Sequence, residues 1–123
     1  MKRFNEKEEQ IMQILWKLET AFVKDILAEM GKTAPPYNTV SSLVRKLEQE
    51  GFVGYESFGK THRYYPILEK EDYKKSDFQR MIDHYFGGSP KDVLSYFVEE
   101  EKIDPKELND LLEQLKNKED GDA

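Results

Sequence analysis

The sequence predicts a mainly α-helical fold interrupted by one small β-hairpin, in the order three helices, hairpin, three helices. Three observations carry that prediction. Apolar residues recur at helical spacing before and after one aromatic-rich stretch, that stretch itself breaks into two short runs around Gly59, and Gly, Pro or a capping residue punctuates the junctions. At 123 residues the chain has room for one domain, or one small domain with an appendage, which excludes most large enzyme architectures.

The first helix starts after Asn5, because Glu8 three residues on completes a capping box in which each side chain satisfies a free N–H of the other. Ile11, Ile14, Leu15 and Leu18 form its apolar face. Thr20 is the expected cap of a second helix, lined by Phe22, Val23, Ile26, Leu27 and Met30 and stopped at Gly31. The link Lys32 to Pro36 breaks helix and offers Pro36 or Tyr37 as the first turn of a third. There Val40, Leu43, Val44 and Leu47 face the core, and Gly51 ends the run. Its opposite side gathers Asn38, Thr39, Ser41, Ser42, Arg45 and Lys46, with no carboxylate before Glu48. An ordinary solvated face has the same composition, so this helix alone decides nothing.

Residues 52–58 and 61–66 read as two strands around Gly59-Lys60, with Gly59 suited to positive φ. Lys60, His62 and Arg63 make the hairpin tip cationic against Glu56 alone. Beyond Pro66 the period is helical again. Tyr73, Phe78, Met81, Ile82 and Tyr85 belong to a helix ended by Gly87-Gly88. Ser89-Pro90 and Asp104-Pro105 each start another, the first carrying Val93, Leu94, Phe97 and Val98, the second Leu108, Leu111, Leu112 and Leu115. The domains are therefore expected at 1–68 and 69–117, with 118–123 a disordered tail.

Charge follows the same division. Up to Pro66 ten Lys and Arg stand against nine Asp and Glu, a net +1, and after it nine stand against sixteen, a net −7, so the total of −6 hides a nearly neutral head. The absence of cysteine excludes disulfides, thiol nucleophiles and Cys-based zinc sites, and two histidines cannot build a His-rich cage, so no cofactor is expected. No stretch approaches the about 18 apolar residues of a membrane span, nor does the N-terminus read as a signal peptide, so a cytoplasmic location without membrane attachment is expected.

Three helices followed by a hairpin describe a winged helix-turn-helix, whose third helix enters the DNA major groove while the wing touches the backbone or the adjacent minor groove. Asn38, Thr39, Ser41 and Ser42 suit base edges or phosphates, and Arg45, Lys46, Lys60 and Arg63 suit phosphates, with His62 on the wing. The C-terminal stripes, Phe78, Met81, Ile82, Tyr85, Val93, Leu94, Phe97, Leu108, Leu111, Leu112 and Leu115, are assigned to a homodimer that presents two heads to a pseudo-palindromic site. Packing of these helices on the winged helix is the alternative. The acidic helices repel DNA from every face but one, which predicts modest non-specific affinity and specific binding that needs both heads.

The chain resembles the penicillinase-repressor family of bacterial transcription regulators, the BlaI/MecI/CopY group. The resemblance rests on the segment 11–16 with Trp16, on 38–47 with Gly51-Phe52, on Gly59-Lys60 and Tyr64-Tyr65-Pro66 in the wing, and on Phe86-Gly87-Gly88 followed by 93–98. It implies a winged-helix domain, a helical dimerisation domain and repression by promoter blockade. It also implies Asn38, Thr39, Ser41, Ser42 and Lys46 as the groove-facing set, with Arg45 flanking and Lys60 and Arg63 on the wing. The β-lactam-responsive members are cut between an asparagine and a phenylalanine in the dimerisation domain; the matching pair here is Tyr96-Phe97, which keeps the phenylalanine but not the asparagine, so the implied regulatory protease is either not of that sensor kind or absent. The cysteine cluster of the copper-responsive members is absent.

Two rival functional classes compete with DNA binding. An enzyme lacks support, because no phosphate loop, nucleophile motif or clustered carboxylate pair occurs. A winged helix that binds protein rather than DNA is compatible with the weakly basic head.

Overall fold

A computed structural model describes residues 3–100 and the backbone of 103–122, with side chains described from 3 to 100 and from 103 to 115. Helices α1 (Glu6–Leu18), α2 (Val23–Met30) and α3 (Tyr37–Gln49) precede the antiparallel hairpin β1 (Val53–Phe58) and β2 (Thr61–Pro66), and α4 (Lys70–Phe86), α5 (Pro90–Glu100) and α6 (Pro105–Asp122) follow it. The mainly α architecture with one hairpin is the predicted one. None of the described helices is long and apolar enough to cross a membrane.

The capping box at α1 forms as read from the sequence: Glu8 N–H donates to Asn5 Oδ1 at 2.8 Å and Asn5 N–H donates to Glu8 Oε1 at 3.0 Å. The start of α2 differs. Ala21 exchanges two backbone hydrogen bonds with Tyr64, at 2.9 and 2.7 Å, which adds a one-residue third strand to the hairpin. That pairing holds the backbone extended past Thr20, so Phe22 is the N-cap and its N–H donates to Asp25 Oδ2 at 2.9 Å. A single 3-10 turn, Gly31–Thr33, then leads to α3, whose N-cap is Pro36.

The chain divides into two units, Met1–Asp77 and Phe78–Ala123. In the first, Ile11, Met12, Leu15, Ile26, Val40, Val44, Leu47 and Val53 are almost wholly removed from water. Each such side chain contributes about 1.5–3 kcal/mol relative to exposure. The division falls later than the 68/69 boundary read from helical period, because Tyr73 near the start of α4 is buried in the head. Its ring stacks on Phe4 at 4.7 Å and lies 5.9 Å from Trp16, and its hydroxyl accepts the Phe4 N–H at 3.2 Å. Trp16 Nε1–H donates to the Leu68 carbonyl at 2.8 Å, tying the exit of the wing to α1.

The second unit has a much thinner interior. Ile82 and Val93, which the sequence assigned to a dimer surface, are buried within the chain itself, and Phe86 meets Tyr96 edge-on at 5.7 Å. Phe78, Tyr85, Leu94, Phe97, Leu111, Leu112 and Leu115 remain exposed, while Met81 and Leu108 are half-buried. Ser89 and Asp104 cap α5 and α6 as expected, accepting from the N–H groups of Asp92 and Lys106. The backbone of α6 stays helical to Asp122, where a disordered stretch was expected from 118 on; no strong breaker stands before Gly121. Ala123 lies outside the described residues.

Candidate nucleic-acid interface

Helical spacing of Val40, Val44 and Leu47 turns α3 so that Asn38, Ser42, Arg45 and Gln49 run along its opposite side. All four are exposed. Thr39 and Lys46 border this stripe on one edge, Tyr37 and Ser41 on the other. Asn38, Thr39, Ser42, Arg45 and Lys46 reach solvent as the sequence reading requires, whereas Ser41 is half-buried and accepts from Arg45 Nη2 at 3.3 Å. That bond holds the guanidinium along the helix without neutralising it.

The wing is built by cross-strand pairing. Tyr55 opposes Tyr64 and Glu56 opposes Arg63, so Tyr55, His62 and Tyr64 share one face of the hairpin and Glu56, Phe58 and Arg63 the other. The two-residue connection needs positive φ at Gly59, which has +62°, and this presents Lys60 at the exposed tip. Further back, the Tyr65 ring lies over Gly54, and a Cβ there would come within 2.5 Å of it. His62 stacks on Tyr55 with centroids 4.1 Å apart and rings nearly parallel.

Between α3 and the wing runs a groove of about 550 Å³, to which α3 contributes Tyr37, Ser41 and Arg45, the wing Lys60, Thr61, His62 and Tyr64, and the start of α2 Phe22, Val23 and Lys24. Burial pushes the Tyr64 phenol above its ordinary value of 10.0, with the nearby Arg45 charge pulling the other way. Tyr64 is buried, whereas Arg45 and Lys60, which line the same groove, are exposed. Among the described residues no three His, Asp or Glu side chains stand close enough to hold a metal ion.

The structure brings Ser41 and Arg45 together with Lys60 and His62, and adds two residues without a role in the sequence reading. Tyr37, 52% exposed, was treated only as a helix start, and Lys24 was given no role. Their positions off the apolar stripes were the available signal. Two predicted phosphate contacts are less available than composition implied. Arg63 Nη2 meets Glu56 Oε2 at 3.3 Å, its guanidinium lies 4.7 Å over the Phe58 ring, and its Nε is buried without a partner. Lys46 Nζ lies 3.6 Å from the buried carboxylate of Glu8. Lys46 was read as a free cation because its partner lies on another element, whereas Glu56 was noted opposite the wing cations but not paired with Arg63 in particular.

The pair expected at a cleavage position, Tyr96-Phe97, lies within α5 with both side chains exposed. Its peptide bond belongs to helical backbone and is closed to a protease until α5 opens locally.

A family model described as penicillinase repressor matches residues 4–117. The penicillinase repressor of Bacillus licheniformis is 21% identical over 120 residues, which span 94% of each chain. The methicillin resistance regulatory protein MecI of Staphylococcus aureus strain N315 is 27% identical over 113 residues, covering 90% of this chain and 91% of that one. Among solved structures, the solution structure of the DNA-binding domain of the repressor BlaI superposes with a TM-score of 0.51 at 21% identity, covering 59% of this chain and 94% of that domain. This likeness shows the winged-helix fold.

Proposed function

Since the chain belongs to the penicillinase repressor family, we propose that it is a homodimeric transcriptional repressor that seats α3 in the major groove of a pseudo-palindromic operator and sets Lys60 of the wing against the neighbouring backbone. One observation carries the reading: the polar side of α3, free of carboxylates before Glu48, meets the cationic tip of the wing through Ser41 and Arg45, which line one groove with Lys60 and His62. Short polar side chains beside a few cations suit base edges framed by phosphates. Asn38, Thr39, Ser41 and Ser42 are assigned to the groove, Arg45, Lys46, Lys60 and Arg63 to the backbone, and His62 to the wing contact. Tyr37 on α3 and Lys24 at the start of α2 join the set in the same groove.

The dimer is supported by the open apolar faces of the second unit, on which Leu111, Leu112 and Leu115 follow at helical spacing along α6. Exposed stripes of that size call for a covering surface, and a second copy supplies an identical one. Two heads held together multiply weak single-site affinities. Because Tyr96 stands where the β-lactam-responsive members carry asparagine, the chain is expected to resist a protease that reads an Asn–Phe pair.

Selection of bound sites from random duplex DNA, followed by titration of the winner against salt, tests the reading. The expected outcome is a two-fold symmetric site and affinity that falls by about 0.9 log unit per log unit of salt for each phosphate neutralised. Enrichment of nothing, with binding indifferent to salt, would leave the protein-binding winged helix as the better account.

A further inference from the structure

Glu8 is a charged side chain with only 1% of its surface exposed, and its two oxygens face different tasks. Oε1 accepts the Asn5 N–H and completes the cap of α1, whereas Oε2 lies 3.6 Å from Nζ of Lys46 on the recognition helix. A capping box accepts glutamine as readily as glutamate, so the cap has no need of the negative charge. Burying a carboxylate is costly, and the cation 3.6 Å away offsets part of that cost. Lys46 itself remains half exposed, its side chain at 53%. A phosphate that recruits Lys46 must therefore do so against a fixed carboxylate behind it. Lys60 meets no such competitor, having no ion-pair partner among the described residues at the tip of the wing.

We propose that Glu8 withholds Lys46 from sequence-independent DNA binding, so that the head engages random duplex as though it carried one cation fewer than its sequence contains. The proposal rests on the DNA-binding reading and adds a residue to it that touches no DNA. Its consequence is that part of the modest non-specific affinity is built into the core of the head, at a helix cap, rather than into the acidic C-terminal unit.

The experiment is a salt titration of binding to a random-sequence duplex by fluorescence anisotropy, using the full chain and the variants Glu8→Gln, Lys46→Gln and Lys60→Gln. Glu8→Gln keeps the cap and frees the lysine, so its slope is expected to steepen by about 0.9, which makes the loss of affinity between 50 and 200 mM salt about 3.5 times larger than in the parent. Lys60→Gln should lose about 0.9 of slope. Lys46→Gln should lose clearly less slope than Lys60→Gln, and should cancel the gain when combined with Glu8→Gln. An unchanged slope in Glu8→Gln, or a loss in Lys46→Gln equal to that in Lys60→Gln, overturns the proposal. Should Glu8→Gln not fold, the contrast between Lys46→Gln and Lys60→Gln decides alone. A parent chain that binds duplex without salt dependence sinks the DNA reading itself, and this proposal with it.

Discussion

The two units solve the burial problem differently. In the head, α1, α2, α3 and the wing enclose Ile11, Leu15, Ile26, Val44 and Leu47, and the start of α4 closes over them with Tyr73. In the second unit Ile82 and Val93 are the apolar side chains buried below a tenth of their surface among the described residues, and whole faces of α5 and α6 stay open. A unit with its own core folds as a monomolecular event. One that leaves its leucines exposed gains stability from the proposed dimer only where a partner covers them, and that part would depend on concentration.

The contrast is most easily broken at α6. Leu111→Asp, or Leu115→Asp, puts a carboxylate in the stripe assigned to the partner, and sedimentation at micromolar concentration should turn from dimer to monomer while the head keeps its own melting transition. A parent protein that is already monomeric would end the dimer account. Leu47→Ala acts on the other side of the contrast. It empties a fully buried site in the head and should lower stability by about 2–5 kcal/mol in urea unfolding, equally at high and low protein concentration.

The boundary between the units can be sharpened in the same way. A fragment 1–77 retains Tyr73 under Phe4 and Trp16, whereas a fragment 1–68 lacks it, so the longer piece should be more stable by about 1.5–3 kcal/mol, the worth of one buried aromatic. Equal unfolding midpoints would return the boundary to Leu68. The smallest effect is expected at Glu19, whose φ of +71° at the end of α1 lies where side chains other than glycine are strained. Glu19→Gly should raise stability by about 1 kcal/mol, the relief of strain exceeding the added freedom of the unfolded chain. In a head of this size that is a gain of about 4–8 °C in melting temperature.

Local features were legible before any coordinates. The Asn5/Glu8 box, the turn at Gly59 and the caps at Ser89 and Asp104 all form where residue spacing put them, because each involves groups within three residues of one another. Helical period likewise assigned the buried face of α3 and, by subtraction, its exposed polar one. Spacing was a poorer guide to the individual partners of distant residues. Thr20 lost its role as a cap to a backbone pairing of Ala21 with Tyr64. Ile82 and Val93 carry the same apolar signal as Leu111, and nothing in periodicity tells an interior face from one left open. Lys46 and Arg63 were counted as available charge when each faces a carboxylate.

By itself, then, the sequence determined the order and type of elements, their caps and turns, and which side of each helix avoids water, since these depend on local backbone sterics and on the period of apolar residues. The tertiary structure alone decided that Tyr73 belongs to the head, that Tyr37 and Lys24 share a groove with Arg45 and Lys60, and that Glu8 stands behind Lys46. Those contacts join residues far apart in the chain. Spacing along a sequence carries no measure of distances that only packing of the whole head creates.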